Sequence, residues 1–261
     1  MMKTFNNMPN FVFEDYQTLL ETFKSQNRNF YLVSQIENSP TYRCVFLRHD
    51  VDFFLGTWDK MPIIENQLGI FTTYYICLSQ YYNVFEKENK KFIHKLIDLG
   101  HEIGLHYDLS NYPKDENDMF AYLEVEINIL SRLSGSEVKT IVMHQPHTGK
   151  EDVFKQHWRY VHPHSPKYQD HYVYISDSCR AFRDEKLLNF IKGNCDKNLL
   201  LTIHPELWLD GNIQDRIDYL KKILIVAETP LEKYYLEDVM YTWKTHDAVL
   251  LDEKRRNKER T

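Results

Sequence analysis

The chain is poor in glycine, with 8 in 261 residues, and none of them builds a phosphate loop of the P-loop or dinucleotide type. Nucleotide-driven chemistry therefore has no cradle here. No serine stands in a Gly-x-Ser-x-Gly elbow, which removes the nucleophile turn of the α/β-hydrolases. The four cysteines, Cys44, Cys77, Cys179 and Cys195, are scattered without a Cys-x-x-Cys pair. They read as reduced thiols rather than a zinc knuckle or a disulfide frame. No run approaches the roughly 20 apolar residues that cross a bilayer, so no membrane span is expected. The N-terminus, "MMKTFNNMPNFVFEDYQTLLETF", has neither the uncharged apolar core nor the small-residue cleavage site of a signal peptide, and a cytoplasmic location is the expectation. Basic residues are outnumbered, 32 Lys and Arg against 38 Asp and Glu, for a net charge of −6. Nucleic acid is accordingly not an expected partner. Nothing in the sequence fixes an oligomeric state.

What is present fits a soluble α/β protein. Apolar residues make up 43% and charged residues 27%, and aromatics are abundant, with 18 Tyr and 15 Phe. The length suffices for one large domain with a substantial core. Residues 13–25 have helical spacing, and "TYRCVFL" reads as a strand. "WDKMPIIENQLG" is helical up to Gly69, "IFTTYYICL" is rich in β-formers, and "VFEKENKKFIHKLIDLG" is a helix stopped at Gly100. "HEIGLH" is a short strand, followed by the long amphipathic helix "DENDMFAYLEVEINILSRLSG" with its acidic first turn. "TIVMH", a short helix near 151–157, "HYVYIS", the helix "DEKLLNFIKG", the strand "LLLTIH" and a helix over 212–226 complete the order. Short strands alternating with helices imply βα units and a mostly parallel sheet. At least six of them in one chain favour a barrel over two small domains, with an open doubly wound sheet as the alternative. The charged end "LDEKRRNKERT" reads as a solvated tail.

Chemistry gathers at the strand ends. "VFLRHDVD" ends in Asp50 and Asp52, "HEIGLHYD" in His106 and Asp108, and "TIVMHQPH" in His144 and His147. "YVYISDS" ends in Ser176 and Asp177, and "LLLTIHPELW" in His204 and Glu206. In a parallel barrel these ends share the rim where active sites sit. Each residue alone has a plainer reading, such as an N-cap for an Asp or a first helical turn for Glu206. Five coincidences on one rim outweigh those readings. Strand alternation puts Arg48 on the side of the two aspartates and turns His49 away, into the barrel wall. Carboxylate and imidazole without thiolate suit a divalent ion with open positions, Zn²⁺, Co²⁺, Mn²⁺ or Fe²⁺. Asp and His on the same rim also supply a base and an acid.

"RHDVD", "GHEIGLHYD", "MHQPH", "YISDS" and "LTIHPELW", in that order over residues 45 to 208, resemble the motifs of the polysaccharide deacetylase family, carbohydrate esterase family 4. The nearest likeness is to its divergent bacterial branch with an Arg-His-Asp-x-Asp first motif. The resemblance implies an α/β fold, a distorted (β/α)₇ TIM-like barrel, and a metal-dependent hydrolase that removes N-acetyl groups from amino sugars. The whole chain, 1–261, would be one such domain, with 1–40 an N-terminal helical extension and 231–261 a C-terminal helical tail. Carried over by position, Asp50 is the general base and Asp52 a metal ligand, an assignment that a bulge would reverse. His106 is the next ligand, but Ser110 stands where the family has its second His. His144 or Asp108 is left to complete the set. His144 also occupies the place of the family's base-orienting Arg. His204 is the general acid, and Arg48 and Asp177 tune these groups by charge pairing. His101, at the start of its strand, belongs to the opposite rim and reads as structural. Trp208, Tyr107 and Trp158 offer faces for sugar stacking, although aromatics this abundant are mostly core.

The expected substrate is an acetylated amino sugar, nucleotide sugar or glycan in polysaccharide biosynthesis, and the expected cofactor is one divalent ion, Zn²⁺ first. Two rivals stand beside this reading. One is a metal-free C–N amidohydrolase on the same barrel, kept open by Ser110. The other is a non-catalytic glycan-binding protein on a decayed deacetylase fold, disfavoured because buried charges without a role destabilise a fold.

Overall fold

The computed structural model describes residues 7–52, 59–79, 82–144, 152–156, 159–183 and 185–210, all within the compact unit Met1–Gly211. The elements alternate as β/α units. They run α1 Phe13–Ser25, β1 Asn29–Tyr31, β2 Cys44–Val51, α2 Lys60–Gln67, β3 Thr73–Ile76 and α3 Lys87–Asp98. There follow β4 Glu102–Tyr107, α4 Glu116–Ser134, β5 Ile141–Met143, β6 Val173–Ser176, α5 Lys186–Ile191 and β7 Leu199–Ile203. Local chemistry accounts for the helices. In α1, Tyr16, Leu19, Leu20 and Phe23 recur at helical spacing and are buried, with Glu14 and Asp15 in the first turn. In α4, the Asp115 carboxylate accepts from the N–H groups of Asn117 and Asp118, and Gly135 ends the helix at a φ of 72°.

Among the described residues, seven strands pair in parallel, six in the order β5-β4-β3-β2-β7-β6 and β1 beside β2 off that path. β2 is buried along its whole length. β7 pairs with residues 45–49 of β2, while β1 takes 44–46 and β3 takes 48–51. β1 and β3 therefore share the other edge of β2. The segment 1–40, expected to be a helical extension, thus contributes a sheet strand as well as α1. It does so because Asn29–Tyr31 offers backbone to a stretch of β2 that β3 is too short to reach.

The sheet curls. Phe46 of β2, Tyr75 of β3, Val142 of β5 and Leu200 of β7 pack in one buried cluster. In a flat sheet, the four strand steps from β5 to β7 would span roughly 19 Å. Val161 bridges in parallel to Thr140 at the β5 edge, and the His164 ring packs edge-on at 4.8 Å against Tyr174 of β6. The segment between them spans the two sheet edges. Gly104 of β4 leaves room for this interior, since a Cβ there would meet the Tyr75 ring at 2.5 Å. The barrel-like α/β fold expected from the strand–helix alternation is the one observed.

The short helix near 151–157 is a 3₁₀ turn, Val153–Gln156. The helix over 212–226 and the tail 231–261 lie outside the described residues, as do His147 and Trp158. All four cysteines are free thiols. Among the described residues, no helix is long and apolar enough to cross a membrane.

Candidate active site

Parallel strands put their C-terminal ends on one rim, and the side chains meet there. β2 alternates strictly. Cys44 and Phe46 point into the interior cluster, and Arg48, Asp50 and Asp52 continue that face upward. His106 comes from β4, while His144, Asp177 and His204 stand one residue past β5, β6 and β7.

Asp52, His106 and His144 form one group. Asp52 Oδ1 is 3.3 Å from His106 Nε2 and 3.4 Å from His144 Nδ1, and the two imidazole nitrogens are 3.2 Å apart. Three donors held about 2.1 Å from a tetrahedral Zn²⁺ are roughly 3.4 Å from one another, so the spacing fits such an ion. The second partner of His106 supports the same reading. Its Nδ1 lies 3.2 Å from the Val142 carbonyl, which can only accept. Nδ1 therefore carries the proton, and Nε2 presents a lone pair toward Asp52, the usual backing of a metal-ligating histidine. Asp52 Oδ1 and His144 Nε2 are buried and make no hydrogen bond among the described residues. A cation answers such a carboxylate oxygen better than a single proton can. Burial alone would raise the Asp52 carboxyl, but the adjacent imidazoles, His144 by its charge first, hold it well below the usual carboxylate range. Burial would lower His144, and Asp52 beside it raises it instead.

Asp50 makes its ion pair with a guanidinium. Arg48 Nη2 donates to Asp50 Oδ2 at 2.9 Å, while Arg48 Nε is anchored on Thr202 Oγ1 at 2.7 Å. The guanidinium lies 5.5 Å from the Tyr75 ring centroid and 6.0 Å from that of Tyr174. Asp50 Oδ1 is buried and takes no hydrogen bond among the described residues. One carboxylate oxygen is clamped and the other is left for chemistry.

On the opposite flank, His204 Nε2 lies 3.8 Å from Asp52 Oδ2. His204 Nδ1 donates to Asp177 Oδ1 at 2.6 Å, which turns Nε2 toward the other groups. Burial would lower the His204 imidazole, but the hydrogen bond and charge of Asp177, followed by Asp52 and Asp50, raise it well above the ordinary histidine value. Glu206, buried in the 3₁₀ turn Pro205–Leu207, is pushed well up by burial and then by the Asp52 charge.

Other expectations fall elsewhere. Asp108 caps the turn Leu109–Asn111, its Oδ1 accepting from the Ser110 N–H at 2.8 Å, and it is not among the clustered donors. Ser110 is exposed. Ser176 Oγ accepts from the Ser178 N–H, a turn contact. Trp208 and Tyr107 are fully buried, which corrects the reading of either as a stacking face for sugar. Trp208 packs against the rings of Phe11, Tyr16 and Phe182, and Tyr107 against those of Phe154, Tyr112 and His162. His101 and His49 both belong to a separate buried cluster around Glu65 in the barrel wall. Sequence reasoning missed Thr202 as the anchor of Arg48. The available signal was a lone hydroxyl in "LLLTIH", two residues before His204 and so on its face.

No family model matches the sequence, and no curated protein does. Solved structures give weak likenesses. A D285S mutant of the peptidoglycan deacetylase PdaC from Bacillus subtilis is 14% identical with a TM-score of 0.43, over 80% of this chain and 96% of that one. The Xyl-CE4 domain of a multidomain xylanase from the hindgut metagenome of Trinervitermes trinervoides is 12% identical with a TM-score of 0.42, over 77% and 83%. BA3943, a CE4 family pseudoenzyme from Bacillus anthracis, is 14% identical with a TM-score of 0.45, over 73% and 64%. Identities this low do not speak to chemistry, which rests here on the side chains.

Proposed function

We propose that this chain is a metal-dependent hydrolase that removes the acetyl group from an N-acetylated amino sugar. Its substrate would be a free or nucleotide-linked sugar or a glycan in polysaccharide synthesis, and its place the cytoplasm. The observation that supports this most is the spacing of the Asp52, His106 and His144 donors, with a half-clamped Asp50 on one side and a proton-bearing His204 on the other.

Asp52, His106 and His144 would hold the ion, with Zn²⁺ the best match to one carboxylate and two imidazoles. Bound there, it supplies Lewis acidity toward the amide carbonyl and acidifies water. Asp50 Oδ1 takes the proton of the attacking water as the new C–O bond forms, with Oδ2 pinned by Arg48 so that only one oxygen is free for the transfer. His204 Nε2 delivers its proton to the amide nitrogen as the C–N bond breaks, yielding acetate and a free amine. Burial would lower the His204 imidazole, but its hydrogen bond to Asp177 and the Asp177 charge favour the protonated ring that this step needs.

The test is metal content and acetate release from N-acetylglucosamine oligomers, on wild type and Asp52→Ala. About one ion per chain in wild type, its loss in the variant, and turnover abolished by chelator and restored by Zn²⁺ or Co²⁺ are expected for a site of this kind. Wild type that takes up no ion after supplementation would sink the metal mechanism.

A further inference from the structure

Asp177 is fully buried and sits among donors from one neighbouring segment. Its Oδ1 accepts from His204 Nδ1 at 2.6 Å and from the His204 backbone N–H at 3.0 Å. Its Oδ2 lies 3.2 Å from that same N–H and accepts from the Trp208 indole Nε1–H at 2.7 Å. The indole is therefore the closest donor to the second oxygen. It is also an immobile one. Trp208 is fully buried, with ring centroids 5.1 Å from Phe11, 5.5 Å from Tyr16 and 6.4 Å from Phe182. Its backbone neighbour Leu209 is tied to the N-terminal segment by hydrogen bonds to Phe11 and Phe13, both at 3.2 Å.

The turn that carries Asp177 is strained. Cys179 and Arg180 are consecutive non-glycine residues in the left-handed region, at φ 58° and 53°. Conformations of this kind are costly and persist only where their surroundings over-determine them. The surroundings here are the same segment. Arg180 Nε donates to the Leu207 carbonyl at 3.0 Å, and its guanidinium lies 5.2 Å from the Phe11 ring centroid. The turn after β6 and the turn after β7 are thus joined by Asp177–His204, Asp177–Trp208 and Arg180–Leu207.

We infer that Trp208 is a positioning residue: its indole N–H fixes the plane of the Asp177 carboxylate, and that plane aims the His204 ring at the reacting groups. Without the indole, Oδ2 keeps only its longer share of the His204 backbone N–H at 3.2 Å, so the carboxylate can rock about its Cβ–Cγ bond and the imidazole would follow. Held at both, it presents Oδ1 to Nδ1–H in one orientation. This inference takes the role of His204 from the proposed function, but the ring-orienting claim itself does not depend on turnover.

The test removes the N–H while keeping the ring. Trp208→Phe, together with benzothienylalanine at position 208 as an isosteric replacement lacking the N–H, is compared with wild type on N-acetylglucosamine oligomers. A drop of about 10²-fold in kcat is expected, the scale set by misplacing a reacting group by an ångström, with KM and metal content little changed. In an Asp177→Ala background, the same replacement is expected to cost nothing more, because it acts through Asp177. Additive losses, or full kcat in the isostere, would overturn the inference. The second readout is nitrogen-resolved NMR of His204 in the metal-loaded protein. Wild type is expected to show a sharp, hydrogen-bonded Nδ1 proton that broadens or disappears in the isostere. An unchanged Nδ1 resonance overturns the inference even if no substrate is turned over, whereas its loss in a chain without deacetylase activity would sustain the inference and defeat the proposed function.

Discussion

β2 carries two polar clusters on its opposite faces, built from the same residue types and buried to similar depth. On the outer face, His49 meets the Glu65 carboxylate of α2 at 2.7 Å. Glu65 Oε1 also accepts from the Tyr16 hydroxyl, and Oε2 accepts from Thr72 Oγ1 at 3.0 Å and Tyr74 OH at 2.8 Å. His101 completes the cluster. It donates from Nε2 to the Pro62 carbonyl, and its Nδ1 accepts from the Thr72 N–H. Both oxygens of the Glu65 carboxylate are saturated by protein donors. On the inner face, Asp50 Oδ1, Asp52 Oδ1 and His144 Nε2 are buried without a hydrogen bond among the described residues. Burial and residue type do not separate a structural cluster from a reactive one. Saturation of the carboxylate does: in the outer cluster His49 Nδ1 lacks a hydrogen bond among the described residues, but Glu65 has nothing left to offer a ligand.

The contrast can be broken by substitution. The largest effect is expected at the inner face, where Asp50→Asn should lower the rate of acetate release by about 10²–10⁴-fold while the protein still unfolds cooperatively, as followed by steady-state kinetics and urea titration. At the outer face, Glu65→Ala strands four donors in an apolar wall. It should cost about 3–5 kcal/mol, read as a lower urea midpoint at unchanged slope. A stable Glu65→Ala protein would mean that the outer cluster is not structural. Thr202→Val links the two faces of the argument, since it leaves the buried Arg48 Nε–H without its acceptor. A loss of about 1–3 kcal/mol in the same titration is expected.

The smallest effect is in the pH dependence of stability, and its sign differs between the faces. Burial holds His101 below its ordinary value, so its contribution is present above the unfolded histidine value and is lost as the pH falls through the folded one. His204 is raised well above its ordinary value, so its contribution is present below the unfolded value and is lost as the pH rises through the folded one. The loss of melting temperature in His101→Gln should therefore be largest above about pH 6.5 and shrink as the pH falls, and that in His204→Gln largest below it and shrink as the pH rises. Shifts of about 2–4 °C would correspond to 1 kcal/mol in a domain of this size. Both variants changing on the same side would contradict the distinction.

Much of this was legible in the chain. α1 falls on the residues whose apolar spacing marks it, and α4 lies between its acidic cap and Gly135. The polar endings of β2, β4, β5, β6 and β7 announced one rim, because parallel strands align their C-terminal ends. β1 was hidden, since three residues, "NFY", carry too little pattern to be told from a loop. The choice between Asp108 and His144 as neighbour of Asp52 was also hidden. Both follow strands by one residue, and only the path of the chain after β4, where Asp108 turns back to cap its own 3₁₀ turn, separates them. For Trp208 the sequence left both a sugar-stacking face and a core ring open, and only the packing of Phe11 and Tyr16 against it decides for the core.

The sequence by itself determined the alternation of strand and helix and the parity of β2, hence that Arg48, Asp50 and Asp52 share a face and that His49 leaves it. These are properties of a two-residue repeat and need no partner. Only the tertiary structure decided which imidazoles stand 3.2 Å apart, that Thr202 anchors Arg48 across 154 positions of chain, and that Trp208 and His204 meet on one carboxylate. Those are distances between strands, set by register and by the curl of the sheet, and no local pattern encodes them.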